Sequence, residues 1–144
     1  MTKQNIHLAV DVLLFTLIEK KLHVLLIKRK NNPFINEFAF PGGFVQEGEL
    51  LKEAALRELK EETGVKNVQN MQLLDVYDAV NRDPRGRVIS NAFIALADFS
   101  VMEHIKAASD AVITQWMPAE EVKALAFDHN KMLADALHLL SSLK

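Results

Sequence analysis

The chain has 144 residues, 49% of them hydrophobic and 25% charged, with a formal net charge of −2 at pH 7. These values predict one globular domain over residues 1–144, and the absence of cysteine excludes disulfides, thiolate catalysis and cysteine-ligated metal. The near-neutral charge gives no basic field for nucleic acid, and the longest apolar stretch, broken by Asp11, is too short to cross a bilayer. We therefore expect a cytoplasmic protein without nucleic-acid or membrane partners.

Hydrophobic patterning predicts strands alternating with two helices. In chain order the predicted elements are a hairpin of two strands (7–17 and 22–30), a short extended piece broken by a Pro-Gly-Gly turn (38–45), a helix ending at Gly64, two strands around a polar loop (72–80 and 88–99), a further strand (111–117), a short helical turn (118–125) and a last helix capped by Asp128. This order predicts an α/β fold in which helices pack against a mixed sheet.

Residues 43–65, GFVQEGELLKEAALRELKEETGV, are the most informative part of the chain. In the predicted helix Glu58 and Glu62 lie one turn apart, and Glu61 projects from the same side. They continue an apolar stripe, so they occupy positions where the helix should enter the protein, and buried carboxylates need partners. A divalent cation would remove their repulsion; the alternative is a salt-bridged, solvated helix face, and spacing alone leaves both open.

The same run resembles the Nudix box, the signature of the Nudix (MutT-like) hydrolase family. That signature has a glycine, five residues, a glutamate, seven residues, and then Arg-Glu-apolar-any-Glu-Glu-any-Gly-apolar. The chain matches it at every fixed position, namely Gly43, Glu49, Arg57, Glu58, Leu59, Glu61, Glu62, Gly64 and Val65. The resemblance implies a single Nudix-type α/β/α sandwich with a mixed sheet.

The resemblance also implies a metal site and a reaction. Its metal ligands would be Glu58, Glu62 and the carbonyl of Gly43, with Glu61 as a ligand or a water-orienting group, and with Glu49 structural or at a second metal. Arg57 would hold the glutamates by salt bridges. Oxygen ligands favour hard cations such as Mg²⁺ or Mn²⁺, which promote hydrolysis of a pyrophosphate bond.

Many family members place a catalytic acid or base outside the box. Asp110 is the candidate here, with Glu103 second; the alternative for each is an ordinary surface acid.

Residues 78–90, DAVNRDPRGRVIS, form the second informative segment. Arg82, Arg85 and Arg87 lie on one loop, and guanidinium groups bind phosphate oxygens bidentately; the alternative is a solvated loop with local Arg–Asp pairs. This segment and Phe127-Asp128-His129 resemble the ADP-ribose pyrophosphatase branch of the family and the Nudix-type domain of NAD-metabolism repressors. Because the chain ends at Lys144, we expect the winged helix of those repressors to be absent.

The expected substrate is therefore a nucleotide derivative, with ADP-ribose cleaved to AMP and ribose 5-phosphate as the first choice. The alternatives are a nucleoside triphosphate, a dinucleoside polyphosphate or another nucleotide sugar, or a non-catalytic Nudix module that senses ADP-ribose. Phe34, Phe38 or Phe40 could stack on a base, with Phe38 as the first candidate, and we expect at least two of the three to lie in the core. A homodimer is allowed by the apolar first strand and Trp116, but the sequence does not demand it.

Overall fold

A computed structural model describes residues 2–66, 68–98 and 113–142 of the chain. Its elements are, in order, β1 (Ile6–Ile18), β2 (Lys21–Lys28), β3 (Phe38–Ala39), β4 (Gly42–Phe44), α1 (Leu51–Thr63), β5 (Gln72–Tyr77), β6 (Arg87–Leu96), β7 (Ile113–Pro118), a 3₁₀ turn (Ala119–Glu121) and α2 (His129–Ser141). The predicted order of strands and helices is confirmed, although the helical turn expected over 118–125 is shorter than predicted.

The sheet is built around β1. One edge of β1 pairs in parallel with β6. The opposite edge pairs antiparallel with β2 over residues 15–18 and antiparallel with β4 over residues 9–11. Because Ile27 pairs with both β3 and β7, these two strands lie on opposite edges of β2. The β3–β4 segment therefore lies between the diverging strands β1 and β2, and the mixed sheet expected from the sequence is confirmed.

The two helices cover opposite faces of this sheet. Side chains alternate along a strand, so Val10 and Val12 point to the face that buries Ala55 and Leu59 of α1. Leu13 lies on the other face, in the cluster that contains Met132 of α2. The result is an α/β/α arrangement in which β1 is buried on both sides.

The residues at the helix ends show why α1 stops at Thr63 and how α2 begins. Thr63 is the last residue of α1, and Gly64 follows it with φ of 80° while its N–H donates to the carbonyl of Lys60, as expected for a glycine stop. The sequence prediction for α2 is only half right. Asp128 occupies the N-cap position, but its side chain makes no capping hydrogen bond because Arg82 binds its carboxylate. Within the described parts of the chain, neither helix is long and apolar enough to span a membrane.

Candidate active site

Two glutamates of α1 face the Pro41-Gly42-Gly43 turn. The backbone at Gly43 lies so close to Glu58 that a Cβ added there would be 2.5 to 2.8 Å from three atoms of its carboxylate. The N–H of Gly42 donates to Oε1 of Glu62 at 2.9 Å. A Cβ at Gly42 would collide with the carbonyl of Val10. The fold therefore needs glycine at position 42, where the turn packs on the backbone of β1, whereas at position 43 glycine leaves room for the Glu58 carboxylate.

Burial makes these two carboxylates costly to ionise. It raises the pKa of Glu62 to about 8, with the neighbouring Glu58 adding to the rise and the Gly42 amide opposing it. Burial likewise raises the pKa of Glu58, and the guanidinium of Arg57 opposes that rise. Two partly desolvated carboxylates beside a backbone turn form an oxygen donor set that suits a hard divalent cation.

Arg57 holds the remaining acids of the segment. Its Nε donates to Oε2 of Glu49 at 2.6 Å and its NH2 to Oε1 at 3.0 Å, while NH1 reaches Glu58 at 2.8 Å and Glu61 at 3.2 Å. Both oxygens of Glu49 are thus engaged, which favours its structural alternative over a second metal. Among residues 2–66, 68–98 and 113–142 no three His, Asp or Glu side chains are grouped to hold a metal ion. Glu58 and Glu62 are the predicted acidic ligands that lie against the glycine turn, and this pair is therefore the candidate.

A cavity of about 220 Å³ opens beside the Gly42-Gly43 turn. Arg29, Arg82 and Arg85 line it together with Phe127. Two of the three arginines are held by acids: Arg82 binds Asp128 through bonds of 2.9 and 2.7 Å, and Arg85 binds Asp83 through bonds of 3.1 and 2.7 Å. The loop of residues 78–90 therefore brings two of its three arginines to the cavity, each already paired with an aspartate.

Arg29 is the arginine that the sequence analysis missed. Its Nε donates to the carbonyl of Pro33 at 2.8 Å, and burial followed by repulsion from Arg85 lowers its pKa. The negative charge of Glu62 raises the pKa of Arg29, so the guanidinium group is attracted by this carboxylate. The available signal was the basic run of residues 28–30, which closes an otherwise apolar strand.

Two other predicted substrate-binding residues, Arg87 and Phe38, are not brought to the cavity. Arg87 begins β6 and pairs with Ile6 in the sheet, outside the cavity lining. Phe38 packs against the hydrophobic cluster under α2, because its side of β3 faces the core. The aromatic residues that line the cavity are Phe40, Phe44 and Phe127. Asp110, like Glu103, lies outside the described residues.

A buried Asp–His pair closes the floor of the cavity. His129 is 2% exposed, its Nδ1 accepts the backbone N–H of Phe40 at 3.1 Å, and its Nε2 lies 3.3 Å from Oδ1 of Asp11. Because Nδ1 accepts a bond, the ring proton is assigned to Nε2, on the side of the ring that faces Asp11. Ser90 donates its hydroxyl to the other oxygen of Asp11. The pair ties α2 and β1 to the residue that precedes the Pro-Gly-Gly turn.

Comparison with known proteins supports the family resemblance. A family model described as NUDIX domain matches residues 6–136. An ADP-ribose pyrophosphatase from Methanocaldococcus jannaschii is 44% identical over 136 residues, which cover 94% of this chain and 78% of that protein. An ADPR responsive transcriptional repressor from Acinetobacter baylyi is 32% identical over 139 residues, or 94% of this chain and 54% of that protein.

A solved structure has the same fold. The NUDIX domain of NrtR from Shewanella oneidensis, complexed with ADP ribose, superposes with a TM-score of 0.85 at 32% sequence identity. The match covers 97% of this chain and 90% of that domain. The similarity in fold therefore extends over nearly the whole chain.

Proposed function

The chain belongs to the NUDIX domain family, and we propose that it is a metal-dependent pyrophosphohydrolase that cleaves ADP-ribose to AMP and ribose 5-phosphate. One observation supports this most directly. The partly buried Glu58–Glu62 pair lies against the same Gly42-Gly43 turn that borders the arginine-lined cavity. Anionic oxygen ligands for a cation and guanidinium groups for phosphates are thus neighbours, as hydrolysis of a pyrophosphate requires.

The metal would rest on Glu58, Glu62 and the carbonyl of Gly43, and we propose Mg²⁺ or Mn²⁺ because all the donors are oxygens. When bound, such a cation lowers the pKa of a water molecule and offsets charge on the phosphates. The protein's own contribution is to hold the ligands in place. Arg57 fixes Glu58, and the Gly42 amide fixes Glu62. Glu61 has one oxygen bound by Arg57 and a side chain more than half exposed, so it would orient water from the solvent side.

The cavity would hold the phosphates of the substrate. Arg29 is best placed to contact them next to the metal ligands, because it lines this cavity and also shares a smaller neighbouring cavity with Glu62. Arg85 is 43% exposed and stands over the ring of Phe44, so it lies where a substrate enters from solvent. Arg82 is 3% exposed and bound by Asp128, so its role is to hold the wall of the cavity rather than to bind phosphate alone.

A turnover panel tests this proposal. ADP-ribose, dinucleoside polyphosphates, nucleotide sugars and nucleoside triphosphates would be compared with Mg²⁺, with Mn²⁺ and with neither. We expect metal-dependent turnover that is fastest with ADP-ribose. Glu58→Gln should lower kcat by at least ~100-fold while the protein remains folded. Glu47→Gln, a matched change at an exposed residue of the same segment, should leave kcat unchanged. Full activity in Glu58→Gln would refute the assigned role, and preference for a triphosphate would refute the assigned substrate.

The similarity to an ADPR responsive repressor favours a second candidate, a module that binds ADP-ribose without hydrolysing it. The two functions differ in what the wild-type protein does with saturating metal. Absence of turnover, together with a rise of Tm on adding ADP-ribose, would favour the sensor. Turnover would favour the enzyme. The two partly buried carboxylates lying close together point the same way, because a sensor has no need to keep them.

A further inference from the structure

Phe127 lies at the centre of the cavity wall. The guanidinium carbon of Arg29 lies 4.9 Å from the centroid of its ring, that of Arg85 lies 5.7 Å away and that of Arg82 lies 6.0 Å away. Each distance is within the range at which a cation is attracted by an aromatic face. One ring thus contacts all three arginines of the cavity.

The backbone of Phe127 is held in an unusual conformation. Its φ is 52°, in the left-handed region that residues with a Cβ seldom adopt. The neighbours leave little alternative: the N–H of Ala126 donates to the carbonyl of Phe38 at 2.8 Å, and Asp128 is bound by Arg82. Phe34 packs edge-on against the ring at 4.7 Å. Such strain persists where the surroundings fix a residue, and it is concentrated at functional positions.

The three arginines depend on the ring to different extents. Arg82 and Arg85 each have an aspartate that offsets their charge. Within residues 2–66, 68–98 and 113–142, Arg29 has a single side-chain hydrogen bond, from Nε to the carbonyl of Pro33. The aromatic face therefore helps to position its terminal NH groups, together with the longer-range attraction of Glu62 and against the repulsion of Arg85.

We propose that Phe127 is a positioning residue that gathers Arg29, Arg82 and Arg85 around one aromatic face, so that Arg29 and Arg85 converge on the pyrophosphate of the substrate while Arg82 holds the wall behind them. This rests on the proposed function, because it takes the cavity to be the phosphate site. The ring places positive charge at the wall next to the metal ligands without adding a carboxylate that would compete with phosphate. The alternative is that Phe127 only fills space beside Ile27 and Ala39.

Steady-state kinetics of ADP-ribose hydrolysis with saturating Mg²⁺ separate the two roles. Phe127→Leu keeps an apolar side chain but removes the aromatic face, whereas Phe127→Tyr keeps the face. We expect Phe127→Leu to raise KM roughly tenfold with kcat within about twofold, and Phe127→Tyr to restore KM. Phe34→Leu removes a ring that supports Phe127 but leaves the Phe127 face in place, so it should raise KM less than Phe127→Leu does. Equal KM values for wild type and Phe127→Leu, or equal damage in the Leu and Tyr variants, would overturn the positioning role.

Failure of the proposed function can be told apart from failure of this inference. If the wild-type protein does not hydrolyse ADP-ribose, the proposed function fails, and calorimetry with inorganic pyrophosphate then tests the ring alone. Weaker pyrophosphate binding in Phe127→Leu, restored in Phe127→Tyr, supports convergence of the arginines. Equal affinity in all three proteins, or no pyrophosphate binding by any of them, overturns it.

Discussion

Gly43→Ala offers a sharp test of the metal site, because the structure separates its effect on activity from its effect on folding. The new Cβ would lie 2.5 Å from Oε1 of Glu58 and 2.6 Å from its carboxyl carbon. The φ of Gly43 is not in the left-handed region, so alanine fits the backbone. What must move is the end of the Glu58 side chain, which is flexible but is also the proposed metal ligand.

The expected size of the effect follows from the overlap. An ordinary contact of a Cβ is 3.4 Å or longer, so the carboxylate has to shift by roughly 1 Å, and a misplacement of ~1 Å can cost ~100-fold in rate. Stability should change little, because replacing glycine by alanine at a compatible position contributes about 0.4 to 1 kcal/mol through the unfolded state. That gain offsets the weakened bond between Arg57 and Glu58. We therefore expect kcat to fall ~100-fold with Tm within a few degrees of wild type.

The assay combines kcat at saturating ADP-ribose, a metal titration of activity and a thermal melt. Gly42→Ala is the matched control, because its Cβ would meet the carbonyl of Val10 and the backbone of Asp11, which cannot move without distorting β1. It should lower Tm strongly, whereas Gly43→Ala should not. If Gly43→Ala keeps kcat within about threefold and has an unchanged metal midpoint, the position of Glu58 does not matter for turnover and the metal assignment is refuted.

Two further predictions concern the same helix. The raised pKa of Glu62, about 8 in the folded protein against a usual 4.5, means that the folded state holds this proton more tightly than the unfolded chain does. That contribution to stability is fully present below pH 4.5 and is lost as the pH rises through about 8, so in chelator the metal-free protein should lose stability over this window in denaturant unfolding. Glu62→Gln should flatten the loss, and an unchanged slope would contradict the assignment. Arg57→Lys should lower kcat roughly tenfold with a smaller change in KM, because a lysine cannot bind Glu49 with two bonds while also reaching Glu58. A wild-type kcat in this variant would show that turnover does not need the branched guanidinium group of Arg57.

Local patterns sufficed for α1 and its end. The apolar spacing of Ala54, Ala55 and Leu59 predicted the helix, and Gly64 predicted where it stops; both depend on residues within a few turns of each other. Asp128 shows the limit of that reasoning. Its position before α2 predicted a capping side chain, but Arg82, 46 residues earlier in the chain, binds the carboxylate instead. A charged partner brought close by the fold outweighs a local hydrogen bond, and no local pattern contains it.

The cavity residues depended on pairing between distant strands. Arg29 follows the last residue of β2, and it lies at the cavity because β3 and β4 are inserted between β2 and β1. Phe38 and Phe40 are two residues apart, yet only Phe40 lines the cavity, because the turn after Ala39 changes which way the chain faces. Sequence spacing identified which chemical groups were present but not which aromatic residue stood beside the arginines. The structure shows that Phe127 is the aromatic residue that contacts all three cavity arginines.

The placement of opposite charges in neighbouring walls raises the question of why the arginines do not simply neutralise the glutamates. Arg82 and Arg85 do not, because Asp128 and Asp83 each bind one of them with two hydrogen bonds. Arg29 is the exception, and Glu62 does attract it. A cation bound by the glutamates would weaken that attraction and leave the terminal NH groups of Arg29 available to phosphate. Metal binding and substrate binding should therefore favour each other at this site, because the cation neutralises the carboxylate charge that would otherwise hold Arg29 away from the phosphates.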